Sequence, residues 1–198
     1  MKIGFVGLGI MGGHMARHLA AKHEIVVFDV DGAKIDAVTG ASDSTAGTRG
    51  AASIAELGEA CDVVLMSLPT SAIVEAVAIG DGGLAGSMAG GSLVVDTSTT
   101  EPTVTARLAA AFEERGIGFI DAPVSGGEGG AKAASLSIMA GGPEELVERA
   151  RPVLEVIGSS VVRVGDIGAG EVAKLVNNMI VGSTFAVIAE SFALGKTM

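Results

Sequence analysis

Short apolar runs alternate with amphipathic stretches along most of this 198-residue chain. Residues 2–6 (KIGFV), 24–29 (EIVVFD), 62–69 (DVVLMSLP), 92–98 (SLVVDTS) and 117–121 (IGFID) are nearly continuous in apolar side chains and end in glycine or a polar residue. Runs of that kind fit strands of a parallel sheet buried on both faces. Between them, residues 11–22 carry Met15, Leu19 and several alanines at helical spacing, and residues 103–115 read as a second helix. Residues 53–60 open with Ser53 and have Glu56 three positions on, the capping-box pattern of a helix start. The alternation predicts an α/β, doubly wound Rossmann-type domain. Residues 134–140 and 160–164 are expected as extra strands around a helix at 143–156. The chain shows no internal repeat and no low-complexity linker.

From about Gly170 the pattern changes. Residues 171–196 read as one long, mostly apolar helix whose polar positions are Lys174, Asn177, Asn178, Glu190 and Lys196. An apolar helix needs a surface to bury it, and nothing after it supplies one. The expectation is a homo-oligomer, or a partner chain or absent C-terminal domain, covering 171–196. No uninterrupted apolar run reaches the roughly 18 residues of a spanning helix, so no membrane crossing is expected.

Composition narrows the classes. Aromatics make up only 3% of a chain that is 48% hydrophobic, so the core is built from Ala, Val, Ile and Leu. A net charge of −10 argues against a nucleic-acid partner, which needs basic surface to meet phosphates. Cys61 is the single cysteine, so no intrachain disulfide forms, as in a reducing compartment. The opening apolar run is broken by glycines and followed by His14 and Arg17, which reads as strand and turn, not as a signal peptide. A cytoplasmic location is the expectation.

Gly7-Leu8-Gly9-Ile10-Met11-Gly12 matches G-x-G-x-x-G between a predicted strand and a predicted helix, the context that gives that motif meaning. Gly7 permits the tight turn, Gly9 lets the backbone approach a pyrophosphate, and Gly12 allows close helix–sheet packing. The helix N-terminus offers free N–H groups and a positive dipole end. Asp29 closes the second strand, 20 residues after Gly9. A carboxylate there accepts the ribose hydroxyls of NAD and repels the 2′-phosphate of NADP. No arginine lies between Asp29 and Arg49 to receive that phosphate, so NAD is favoured over NADP. Asp31 is the alternative ribose partner.

Two further stretches are hard to explain as scaffold. In DAPVSGGEGGAKAAS (121–135), Pro123 stops the strand from continuing in a central position. Ser125-Gly126-Gly127 then presents a hydroxyl and bare backbone N–H groups, a concavity suited to a carboxylate; the alternative is a flexible connection. In GAGEVAKLVNN (168–178), Lys174 and Asn178 share a helix face. Burial among Val172, Ala173 and Leu175 would lower the amine from its usual ~10.4 toward a working acid–base range. The alternative is a surface lysine paired with Glu171 on a solvated face. His14 and His18 share a face of the first helix without completing a metal set, so no metal site is expected. Cys61 reads as a small near-core residue. Ser98 and Ser125 lack a histidine partner for hydrolase chemistry.

Three blocks, GFVGLGIMGGHMARHLA (4–20), DAPVSGGEGGAKAASLSIMAGG (121–142) and GAGEVAKLVNNMI (168–180), resemble the β-hydroxyacid dehydrogenases, the family of 3-hydroxyisobutyrate dehydrogenase and tartronate semialdehyde reductase. VVDTSTTEP (94–102) is similar to the family's strand and loop near the nicotinamide. The resemblance implies an oxidoreductase moving a hydride between NAD and a small 3-hydroxy acid, with Lys174 as general acid/base. It implies that Asn178 orients substrate and that Ser125, Gly126 and Gly127 hold its carboxylate. Gly7, Gly9, Ile10, Met11 and Gly12 would bind the pyrophosphate, and Leu68, Pro69 and Thr99 would line the cofactor. Residues 1–165 would then be the NAD-binding Rossmann domain and 166–198 an interdomain helix beginning the C-terminal helical domain. The sequence departs from the family's pattern at Ala134-Ser135, where Gly-Thr is usual, and at Glu171, where glutamine is common. The alternative to an active dehydrogenase is an NAD-binding or interaction module without turnover.

Overall fold

The computed structural model describes residues 1–41 and 47–198. The chain runs β1 (Ile3–Val6), α1 (Ile10–Ala20), β2 (Ile25–Phe28), α2 (Gly32–Thr39), β3 (Arg49–Gly50), α3 (Ile54–Ala60), β4 (Val63–Met66), α4 (Ser71–Ile79), α5 (Leu84–Ser87), β5 (Leu93–Asp96), α6 (Pro102–Glu113) and β6 (Gly118–Asp121). It continues through β7 (Val124–Ser125), α7 (Gly127–Lys132), β8 (Leu136–Gly141), α8 (Glu144–Ile157), β9 (Gly158–Gly165) and α9 (Ala169–Thr197). The first six strands are parallel in the order β3-β2-β1-β4-β5-β6, which is the doubly wound Rossmann order. β8 runs antiparallel to β6, through Asp121 opposite Gly141, and to β7, while β9 pairs parallel to β8.

The apolar runs make this sheet because both of its faces are covered. Successive residues of one strand enter opposite cores. Val63 and Leu65 of β4 join Ile3 and Phe5 of β1 in a core closed by Met15 and Leu19 of α1 and by Val153 and Leu154 of α8. Val64 and Met66 join Val6 in the other core, against Leu57 of α3, Val74 of α4 and Leu108 and Phe112 of α6. Each fully buried side chain of this size contributes about 1.5–3 kcal/mol. Phe112 of α6 also stacks on Phe119 of β6, ring centroids 5.5 Å apart.

The predicted strands and helices are present within a few residues. The capping box is half as drawn: Ser53 Oγ accepts the Glu56 N–H at 3.1 Å, but the Glu56 carboxylate takes the N–H of Ala52 and pairs with Arg49. Short elements the pattern did not predict are α2, α4, α5, α7, β3 and β7. Asp31 is the N-cap of α2, accepting the Ala33 N–H at 3.0 Å.

Helix α9 is buried only at its start, at Gly170 and Glu171. Beyond that turn Met179, Ile180, Phe185, Val187, Phe192 and Leu194 are all more than 60% exposed. With 29 residues and a mean hydropathy of 1.5 in its most apolar stretch, α9 is long and apolar enough to cross a membrane. Counting uninterrupted apolar residues understated that property, because scattered polar positions break the run without lowering the average much.

Candidate active site

The carboxyl ends of the parallel strands form one edge, where ligands of open α/β sheets bind. β1 ends in the glycine turn. Gly7 adopts φ +92°, and a side chain there would overlap the Ser67 carbonyl. A side chain at Gly12 would overlap the Gly7 carbonyl and meet the Phe5 ring. Gly9 differs, because a Cβ there would meet nothing within 4 Å. The room at Gly9 is therefore left for something other than protein. It opens on a cleft of about 670 Å³ lined by Gly7, Ile10, Met11, Asp29, Leu68 and Pro69 among others. An apolar cleft with a glycine turn at a helix start and an acid in its lining fits a dinucleotide.

Asp29 lines that cleft but is already engaged. Its Oδ2 accepts the Leu8 N–H at 2.7 Å and its Oδ1 the Asp31 N–H at 2.9 Å, with Lys34 Nζ 3.4 Å away. Burial pushes its acidity one way, but these N–H groups and the Lys34 charge outweigh it, so the carboxyl lies below its ordinary value. Lys34 is a cation beside Asp29 in the cleft that a search for arginine alone overlooked.

The next two loops are stitched together. Ser98 Oγ accepts the Leu68 N–H at 2.9 Å, joining the turn after β4 to the loop after β5. Fully buried Asp96 shapes that loop, accepting the Ser98 N–H at 3.0 Å and the Thr100 hydroxyl at 2.9 Å. Thr99 is exposed between them, on the loop and outside the lining of the cleft.

β6 ends at Asp121, and after Pro123 the chain turns into β7 and α7. Ser125 closes β7, and Gly126 (φ +138°) and Gly127 (φ +61°) start α7 in backbone conformations that only glycine adopts at low cost. Asp121 is fully buried, and its carboxylate accepts the Gly168 N–H at 2.7 Å and the Glu171 N–H at 3.0 Å. It thus satisfies donors that the first turn of α9 leaves open. Burial moves Asp121 above its ordinary value, opposed by those hydrogen bonds.

This junction brings the second and third sequence blocks together. Asn177 Nδ2 donates to Ser125 Oγ at 3.4 Å. Asn178, the residue singled out from the sequence, is exposed one position further along α9. Lys174 is half-buried, and burial lowers its amine below the ordinary value while Glu171 opposes that change. Glu171 itself is fully buried, which removes the alternative of an ion pair on a solvated face. Burial raises its carboxyl to about 8. Asp96, Asp121, Asn177 and Lys34 had no signal in periodicity or motif; the tasks of Asp96 and Asp121 depend on which strand ends become neighbours.

The other tempting residues have structural work. His18 Nε2 contacts the carbonyls of Ala131 and Lys132 at the end of α7, each at 3.1 Å. His14 lies 3.8 Å from Glu128, a carboxylate that the sequence did not place near it. Among the described residues no three His, Cys, Asp or Glu side chains are grouped to hold a metal. Cys61 is buried, with its thiol raised to about 11 chiefly by desolvation.

Strand order, glycine turn and cleft define a dinucleotide-binding Rossmann domain. Residues 2–165 match the family described as the NAD binding domain of 6-phosphogluconate dehydrogenase. The chain is 45% identical over 194 residues to the 3-hydroxyisobutyrate dehydrogenase of Pseudomonas aeruginosa, covering 98% of this chain and 63% of that one. It is 36% identical over 192 residues to the 2-hydroxy-3-oxopropionate reductase of Escherichia coli, covering 96% and 64%. A structure of Mycobacterium tuberculosis 3-hydroxyisobutyrate dehydrogenase with L-serine superposes with a TM-score of 0.90 at 34% identity, over 99% of this chain and 65% of that one. The protein belongs to the β-hydroxyacid dehydrogenase family. It spans under two thirds of the length of these relatives.

Proposed function

We propose that this chain carries the cofactor half and the proton-transfer residue of an NAD-dependent dehydrogenase acting on a small 3-hydroxy acid. The observation that carries this reading is the junction at Asp121. One carboxylate ties the strand leading to Ser125-Gly126-Gly127 to the helix bearing Lys174, at the same sheet edge as the glycine turn.

Gly7, Gly9, Ile10, Met11, Gly12, Leu68 and Pro69 are the residues to hold NAD, with Asp29 at the ribose; Thr99, exposed and outside the cleft's lining, does not join them. Bound NAD supplies the hydride acceptor in oxidation and, once reduced, the donor in the reverse reaction. The chain's own residues do the rest. Ser125 Oγ and the N–H groups of Gly126 and Gly127 hold the substrate carboxylate, and Asn177 fixes the Ser125 hydroxyl. Lys174 Nζ takes the proton from the substrate's alcohol oxygen in oxidation and returns it in reduction. Asn178 orients the reacting oxygen without adding charge. The half-buried setting of the amine supports this role, because desolvation brings it toward the range in which a general base works.

The exposed apolar flank of α9 supports a division into a Rossmann domain, residues 1–165, and an interdomain helix, 166–198, covered by a helical domain, a second copy or a partner chain. A cytoplasmic location goes with this reading. The test is NADH formation with 3-hydroxyisobutyrate, glycerate and serine, beside NADH binding by fluorescence. Turnover of one of these acids is the expected result. Tight NADH binding with no turnover of any acid would instead make the chain a cofactor-binding module.

A further inference from the structure

Asn177 Nδ2 donates to Ser125 Oγ at 3.4 Å, from α9 to the end of β7. Other hydroxyls that accept hydrogen bonds here have backbone tasks: Ser53 and Thr70 cap helices, and Ser98 ties two loops together. Ser125 does neither. It accepts from a side chain, and among the described residues its Oγ makes no other hydrogen bond. A serine hydroxyl has one proton to give and two lone pairs to accept with. Because the Asn177 N–H occupies a lone pair, the Ser125 proton points away from Asn177, and no described protein acceptor takes it. Had the amide turned its oxygen to Ser125, the hydroxyl would donate to Asn177 and face a ligand with lone pairs only. Both side chains are partly exposed, and Gly126 and Gly127 beside them are exposed, so a ligand can reach that proton.

We propose that Asn177 is a positioning residue that sets the direction of the Ser125 hydroxyl, and through it selects an ionised carboxylate over an amide at this turn. The inference deepens the reading above and rests on Ser125 holding the substrate's carboxylate. A carboxylate only accepts hydrogen bonds, whereas an amide offers one accepting oxygen and a donating NH2 group. With Ser125 held as a donor beside the Gly126 and Gly127 N–H groups, the turn presents donors alone. Two carboxylate oxygens satisfy them. An amide turns its NH2 group against a donor and leaves that donor unpaired, which is costly. Asn177 therefore acts through Ser125, while Asn178, one position on, is exposed.

The test uses isobutyrate, an acid with no alcohol to oxidise, titrated into the 198-residue chain with saturating NADH and followed by NADH fluorescence. Asn177→Ala is expected to weaken isobutyrate by about three- to tenfold, with NADH affinity and melting temperature unchanged. Ser125→Ala should weaken it at least as much, and the double variant no further than Ser125→Ala alone, because the asparagine works through that hydroxyl. Losses that multiply in the double variant, an unchanged isobutyrate affinity in Asn177→Ala, or a loss that merely follows NADH affinity and melting temperature down would each overturn the proposal. Where a hydroxy acid is turned over, the Asn177→Ala loss should fall on KM and leave kcat unchanged. Should a variant not fold, the unmodified chain decides the matter. Isobutyrate should bind it about tenfold or more tightly than isobutyramide; equal affinity for the two, or binding of neither, overturns the proposal. Coupled losses of isobutyrate affinity without turnover of any hydroxy acid would count against the dehydrogenase reading alone.

Discussion

The Asp121 carboxylate accepts the backbone N–H of Glu171 at 3.0 Å, across 50 residues of sequence. Together with its bond from Gly168, this makes the end of strand β6 the N-terminal cap of helix α9. The Ser125-Gly126-Gly127 turn and the helix that carries Lys174 therefore share one anchor.

Asp121→Asn tests that anchor. Asparagine keeps one acceptor oxygen but turns an NH2 group toward an N–H that needs an acceptor. The expected loss is about 1–3 kcal/mol of stability by urea denaturation. Gly170→Ala should also destabilise, since its Cβ would crowd the Met139 carbonyl and the Asp121 carboxylate.

Stability should fall as pH rises through the neutral range. The native chain holds the Glu171 proton up to about 8, whereas the unfolded chain releases it near 4.5. Between those values the native state binds more protons, so each step upward in pH favours unfolding. The contribution is complete below pH 4.5 and gone above about 8, with a ceiling of about 5 kcal/mol. The raised Asp96 and Asp121 act in the same direction from their own ordinary values upward. Thermal melts between pH 5 and 9 should show this slope, and Glu171→Gln should flatten it.

Gly9 and Gly12 should separate folding from binding. Gly9→Val places its side chain in open space, so the protein should keep its melting temperature yet lose at least about tenfold in NADH affinity, roughly 1.4 kcal/mol. Gly12→Val drives a side chain into the Gly7 carbonyl and should lose both stability and binding.

The proposed ribose role of Asp29 predicts a choice between cofactors. NADH is expected to bind more tightly than NADPH. Asp29→Ala removes the repelling charge and leaves Lys34 paired only with Asp31, 4.0 Å away, so it should narrow the preference by about tenfold. Adding Lys34→Met should weaken NADPH again in the same fluorescence titration.

Lys174→Met should lower turnover by about 10²–10⁴, the range of a lost general acid–base. NADH binding should stay unchanged, because Lys174 lies outside the lining of the dinucleotide cleft.

Much of this molecule could be read from its residues, for identifiable reasons. The runs at 62–69 and 92–98 announced strands because both of their faces are buried, so the strand positions up to their carboxyl ends are apolar. The glycine turn was legible because Gly7 and Gly12 answer local steric demands on either side of Gly9, where the protein leaves open space. Helix α7 was not: its GEGGAK sequence reads as a loop, and its order comes from buried Ala131 and from His18 at its end. Two-residue strands such as β3 and β7 are too short to show a period. Lys174 was singled out through its neighbours in sequence, and its half-buried setting is what the structure adds. Asp96, Asp121 and the buried state of Glu171 were not, since they arise from strand ends far apart in the chain meeting at one edge.

The bare flank of α9 makes concentration a variable in every measurement on this chain. If two copies bury those side chains against each other, association stabilises the folded form by mass action. Diluting the sample should then lower the melting temperature, and assays at nanomolar and micromolar protein would report on different species.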